Sequence, residues 1–187
     1  DKDHYLHFMK TAIYEFARQG SCIIIGRGGQ VLFKDIPGVL HVKVIAPTEL
    51  RIARVKTRYN YDDRLAEQII RHNDHDRSGF HKFFFHVNWD DCSLYDLMIN
   101  THFLTIDASV GLIKEALATS GIEEKSSEAD SKIKDLCLGQ EVETSILYEE
   151  KIPVHFLEVL AISGIVTVRG SVITMEDISR CETAAQK

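Results

Sequence analysis

The arginines of this sequence are the side chains best placed to do chemistry. Arg27 stands in the run Gly26-Arg27-Gly28-Gly29, directly after the apolar residues Cys22-Ile23-Ile24-Ile25. Glycines let a backbone turn sharply and approach a ligand closely. If the apolar run is a strand of a parallel sheet, Arg27 lies at its carboxyl end, where α/β sheets bind ligands. A guanidinium there can anchor a phosphate or a carbonyl-rich base. A plain strand-to-helix turn is the competing reading, since a short glycine motif is weak by itself. A second basic set runs Arg71-His72-Asn73-Asp74-His75-Asp76-Arg77 and continues through His81, Lys82 and His86. Arg71 and His75, and Arg77 and His81, are four apart and share a helix face. A cationic arm of this kind can close over phosphates and neutralise charge developing in phosphoryl transfer. The same pattern fits a solvated helix of mixed charge. His72 and His75 with Asp74 and Asp76 also suggest a metal, but such sites need three or four converging ligands and the sequence offers no second cluster. Phe83-Phe84-Phe85 and Trp89 read as core or interface.

The positioning elements follow from apolar spacing. Tyr5, Met9, Ala12, Ile13, Phe16 and Ala17 recur at helical intervals, and Gly20 ends that helix. Short β-branched runs bounded by Gly or Pro, Ser21–Ile25 and Leu40–Ala46, read as buried strands. Gln30–Phe33 reads as a short helical turn. Thr48 is expected to cap the next helix, and Asp62 or Asp63 a longer one carrying Leu65, Ile69 and Ile70. Leu97-Met98-Ile99 is a third strand, and Thr105 or Asp107 opens a helix that Gly121 ends. Strand and helix alternate, which predicts an α/β domain with a parallel sheet. Ile133 to Leu147 reads as helical up to the break at Pro153, Val154–Ile162 and Ile165–Val168 as a hairpin around Ser163-Gly164, and Met175–Lys187 as a terminal helix.

Charge divides the chain near residue 121. Residues 1–121 hold 15 basic and 15 acidic side chains, and the remaining 66 hold 7 and 13, which accounts for the net charge of −6. Three parts are therefore expected: 1–121, a linker over 122–132, and a small α+β part over 133–187. Neither half has the basic excess of a general nucleic-acid binder. No apolar run approaches the roughly 20 residues that cross a bilayer. Cys22, Cys92, Cys137 and Cys181 form no C-x-x-C pair, so neither a zinc site nor a disulfide framework is expected, and a reduced, cytoplasmic setting is.

Taken together, these residues resemble the cytidylate kinase-like proteins. Gly26-Arg27-Gly28 is similar to that family's Gly-Arg-Asp, Val31-Leu32-Phe33 to its apolar triplet, and Leu40–Ala46, Pro47, Arg51 and Arg54 to its next strand and arginine-rich helix. Asp74-His75-Asp76-Arg77 follows the lid pattern loosely, and Tyr95–Thr101 looks like the final strand. The resemblance covers about residues 4–118. It implies a partial P-loop-kinase-like parallel sheet with flanking helices. It also implies that Gly26, Arg27, Gly28 and Gly29 bind a nucleoside monophosphate such as CMP, and that Arg77, with Arg71, stabilises the transferred phosphoryl. Gly28 departs from the family's aspartate, and Gly79 falls near an expected lid arginine. The sequence contains no Gly-Lys pair, whereas a P-loop kinase uses Gly-Lys-Ser/Thr to hold ATP and Mg²⁺. The expectation is that this loop lies upstream and that these residues alone are inactive and carry no cofactor. The family's first strand would lie between Ser21–Ile25 and Leu40–Ala46. Without it the two must pair directly, giving a rearranged three-stranded sheet, or another chain must complete the sheet.

The run Ile162–Val172 is similar to the hairpin of BON domains, which are linked with phospholipid or protein association. A plain α+β appendage is the alternative. The leading functional expectation is a nucleoside monophosphate kinase-like protein. The alternative is a non-catalytic nucleotide-sensing or protein-interaction module, with a homodimer suggested by Phe83–Phe85 and the broken sheet.

Overall fold

The computed structural model describes residues 2–186, which form two units: residues 25–125, and residues 2–24 together with 126–186.

The 25–125 unit is α/β. Helix α2 (Gly29–Leu32) leads to strand β1 (Val42–Ile45), helices α3 (Thr48–Tyr59) and α4 (Asp63–Phe85), strand β2 (Leu97–Asn100) and helix α5 (Ile106–Thr119). β1 and β2 pair in parallel, Val42 opposite Leu97 through Ile45 opposite Asn100. Side chains start the longer helices. The Asp62 carboxylate accepts from the Leu65 amide at 2.7 Å, and the Thr105 hydroxyl from that of Ala108 at 3.2 Å. Such caps satisfy amides that the first turn leaves without partners. At the start of α3 the expected cap differs: Thr48 is already helical and Pro47 precedes it without a side-chain bond. The unit's core is small, formed by Phe33, Ala66, Ile70 and Ile99.

Two sequence expectations fail at this sheet. Ser21–Ile25 joins no sheet, and Ile23 and Ile25 are 86% and 89% exposed. The three-stranded sheet does not form within this chain, because β1 pairs with β2 on one edge and, among the described residues, with no strand on the other. An apolar run becomes a stable strand only with a neighbour for its N–H and C=O groups. Val44, in β1, is accordingly 59% exposed.

In the other unit, helix α1 (Lys2–Arg18) packs along helix α6 (Ser126–Thr144). The expected linker over 122–132 is mostly helical: a short 3₁₀ turn at Glu123–Lys125 runs into the first turns of α6. Its polar residues form a solvated face, while Ala129 and Ile133 are buried. α1, expected with the α/β part, belongs instead with the C-terminal residues. His7 is 3% exposed and lies 2.9 Å from Thr144 Oγ1. Burial lowers its pKa, a shift that Glu143 opposes. After a π-helical turn at Ser145–Glu149 come the antiparallel strands β3 (His155–Ile162) and β4 (Ile165–Ser171), then helix α7 (Met175–Ala185). Val142, Ile146, Ile152 and Ala184 form the core, with Leu157, Val159, Val166 and Val168 packed on it. No described helix is long and apolar enough to cross a membrane.

The hairpin turn places Ser163 and Gly164 at φ 53° and 77°, the left-handed pair that a two-residue turn requires. Both of their amides donate to the Asp135 carboxylate of α6, each at 2.8 Å. Replacing Asp135 by Ala leaves both exposed amides to water, and should lower the stability of this unit by about 1 kcal/mol. Urea unfolding measures the loss, and amide exchange at Ser163 and Gly164 should accelerate.

Candidate functional site

The backbone of Gly26, Arg27 and Gly28 is left-handed at all three residues, with φ 78°, 53° and 76°. Gly28 is buried, and a Cβ there would overlap the Phe85 ring at the end of α4. Two independent constraints thus hold position 28 to glycine, its φ and the aromatic ring. This accounts for the departure from Gly-Arg-Asp noted in the sequence. The contact also brings the Gly26–Gly29 loop to α4. Around it, Phe80 meets Phe84 at a tilt with 4.9 Å between ring centres, and meets Phe85 edge to face at 5.8 Å. Phe83 is 56% exposed, so only part of the aromatic run is core.

Next to the loop stands a polar cluster that the sequence did not announce. Gln30 donates to the Tyr95 hydroxyl at 3.4 Å, which donates to the Trp89 carbonyl at 2.8 Å. Lys43, 9% exposed on β1, donates to the same carbonyl at 2.8 Å and to Asp90 Oδ1 at 2.7 Å. Its ammonium lies 4.8 Å from the Trp89 ring centre and 5.2 Å from that of Tyr95, within cation–π range. Burial, and then the Asp90 charge, push the Tyr95 pKa up. Lys43 is held by a carbonyl, a carboxylate and two ring faces and acts as a structural charge.

The cationic set divides along α4. Arg51, on α3, grips Asp74 on α4 through two parallel bonds of 2.7 Å. Arg77, one turn beyond Asp74, adds to the positive field on it, and the Asp74 pKa is lowered chiefly by the Arg51 bonds. Arg71 lies one turn before Asp74, as Arg77 lies one turn after it, about 60° to the other side around the helix. It pairs with Glu67 at 2.6 Å. Of the histidines, His81 donates to the Arg77 carbonyl at 2.7 Å, and His72 lies 3.3 Å from Asp76. Among the described residues no group of three or more His, Cys, Asp or Glu converges as a metal would need. Phe85 follows Arg77 by eight residues, about 12 Å along the helix.

Arg54 is a further arginine at the carboxyl end of the sheet. It donates to Thr101 Oγ1 at 3.0 Å and to the Thr101 carbonyl at 2.8 Å, just past β2. With Ala53, Thr57 and Arg58 it lines a shallow, open surface depression. The sequence signal for these residues is Arg51-x-x-Arg54 on the helix that follows β1. That spacing puts two guanidinium groups on one face beside the strand ends.

Two outcomes test this geometry. Gly28→Asp should destabilise the protein by roughly 2–4 kcal/mol, the combined cost of left-handed backbone and ring displacement; thermal unfolding measures it. Asp74→Asn should cost about 0.5–1 kcal/mol at neutral pH, the range for a half-exposed ion pair. The folded-state pKa of Asp74 is below its unfolded value. The stabilisation is therefore full above the ordinary carboxylate range near about 4, and is lost as pH falls through the lower folded value. The difference between wild type and variant, followed by urea unfolding against pH, should shrink accordingly.

The model of the cytidylate kinase-like family matches residues 1–102. The cytidylate kinase of Methanocaldococcus jannaschii is 27% identical over 105 residues, 55% of this chain and 59% of that one. A uronate isomerase of Corynebacterium glutamicum is 29% identical over 96 residues, 51% of this chain but 18% of its own length. A crystal structure of an uncharacterized protein from Eubacterium ventriosum superposes with a TM-score of 0.55 at 20% identity, over 63% of this chain and 65% of that one, a likeness of fold. The chain thus spans less than two thirds of each of these relatives. The family model covers more than half of its residues, and the chain belongs to the cytidylate kinase-like family.

Proposed function

We propose that residues 25–125 bind a nucleoside monophosphate, CMP-like in class, as the acceptor part of a cytidylate kinase-type phosphotransferase. One observation carries this reading: the Gly26–Gly29 loop is held against α4 by the Gly28–Phe85 contact. Arg27 on that loop anchors the acceptor. Arg77, with Arg51 beside it through Asp74, supplies positive charge over its phosphate. Arg71, already paired with Glu67, has the weaker claim. Three relatives that are cytidylate kinases support the same class.

The residues present do not supply an ATP site. The sequence has no Gly-Lys pair with which a P-loop cradles the β and γ phosphates. The reading therefore assigns acceptor binding and orientation to these residues. Transfer from Mg²⁺-ATP requires a phosphate-binding loop in addition, and these 187 residues alone are inactive. A non-catalytic nucleotide sensor is the second reading, favoured by Arg51 being committed to a carboxylate in a bidentate pair.

Calorimetric titration with CMP, AMP and inorganic phosphate tests the proposal. Saturable CMP binding is expected. Arg27→Ala should weaken it tenfold or more and Arg77→Ala several-fold, as loss of a charge-assisted bond to phosphate does. No binding of any of the three ligands overturns the reading. Conversion of CMP to CDP by the purified chain with ATP overturns the assignment of inactivity.

A further inference from the structure

Side chains alternate across the β3–β4 hairpin. Leu157, Val159, Val166 and Val168 pack on the core. The opposite set, Glu158, Leu160, Ile162, Ile165, Thr167 and Arg169, is exposed. Leu160, Ile162 and Ile165 are 55%, 61% and 73% accessible. The cross-strand register places Ile162 opposite Ile165, Leu160 opposite Thr167, and Glu158 opposite Arg169. The outer face is therefore apolar toward the turn and carries one charge of each sign, side by side, two rungs further on. Among the described residues neither Glu158 nor Arg169 is held in an ion pair.

We propose that a second copy of this chain docks on this face, hairpin on hairpin, about a two-fold axis running along the strands. That operator keeps each rung at its own level and exchanges the strands, so β3 of one copy lies over β4 of the other. Ile162 then meets the partner's Ile165, Leu160 meets the partner's Thr167, and Glu158 meets the partner's Arg169. Each contact occurs twice, as an isologous interface requires. The charge pattern selects this occupant. A face bearing one acid and one base on a single rung is complementary to itself, whereas an anionic membrane or a peptide of one charge sign would match half of it and be repelled by the other half. Two sheet faces pack aligned at about 10 Å separation, within about 30° in strand direction. Six side chains per copy make a face smaller than the roughly 800 Å² per partner of a standard interface, so the dimer is weak and concentration-dependent.

Sedimentation equilibrium up to about 200 μM, a range suited to a small interface, tests this. The wild type should show a reversible monomer–dimer equilibrium. Glu158→Arg and Arg169→Glu should each be monomeric, because each sets like charges against one another at both symmetry-related contacts. An equimolar mixture of the two variants should dimerise again, with arginines on one copy facing glutamates on the other. The double variant Glu158→Arg/Arg169→Glu should dimerise as the wild type does. Recovery by mixing cannot come from a misfolded variant. A monomeric wild type across the range overturns the proposal. So do single variants that dimerise unchanged, as an edge-to-edge strand pairing would, and a mixture that stays monomeric.

Discussion

The ring of Phe85 lies on the Cα of Gly28, and no side chain fits between them. Much of the 25–125 unit is arranged by that contact. It sets the end of a 23-residue helix against a loop whose three left-handed residues already limit its conformations. The loop cannot relax toward an ordinary helical or extended backbone without moving the ring. The ring in turn is held by Phe80 and, through His81 and its contact with Trp89, by the segment before β2. Arg27 is thereby presented from a backbone that has little freedom left to lose when a ligand binds, which is how preorganisation favours affinity.

Charge is used in this unit in two ways. Lys43 is nearly buried and satisfied on all sides by a carbonyl, a carboxylate and two ring faces. Removing any one partner would leave a buried charge short of compensation, so this cluster fixes structure. The Arg51–Asp74 pair is partly open to solvent and adds modest stability. It matters more as a positional device. It fastens α3, which follows one strand end, to the face of α4 that carries Arg77.

In the other unit the organising element is α6. It receives α1 along one side and the β3–β4 hairpin along another, and Asp135 bonds the hairpin turn directly. A two-stranded sheet is marginal alone and needs a helix beneath it. Here the inner face is covered and the outer one is not. The same alternation that builds the core therefore leaves an ordered, self-complementary face on the outside.

By itself the sequence determined the helices, the hairpin and the ends of most elements. Apolar periodicity, Asp62, Thr105 and the Ser163-Gly164 turn act over a few residues, and local physics settles them. It also marked the Gly26–Gly29 loop and the arginines. The tertiary structure decided what depends on distant neighbours. Ser21–Ile25 has the composition of a strand but no partner to bond it, and ladder pairing is not a local property. The polar stretch before Ile133 became helix because α1 covers the buried side of α6. Arg71 was the weaker of the two lid arginines in sequence, and the folded chain separates them by partner: Arg77 adds to the field on Asp74, while Arg71 pairs with Glu67. Gly28 read as a departure from a motif until the ring above it gave the reason, since an aromatic 57 residues away constrains a glycine only once the chain has folded.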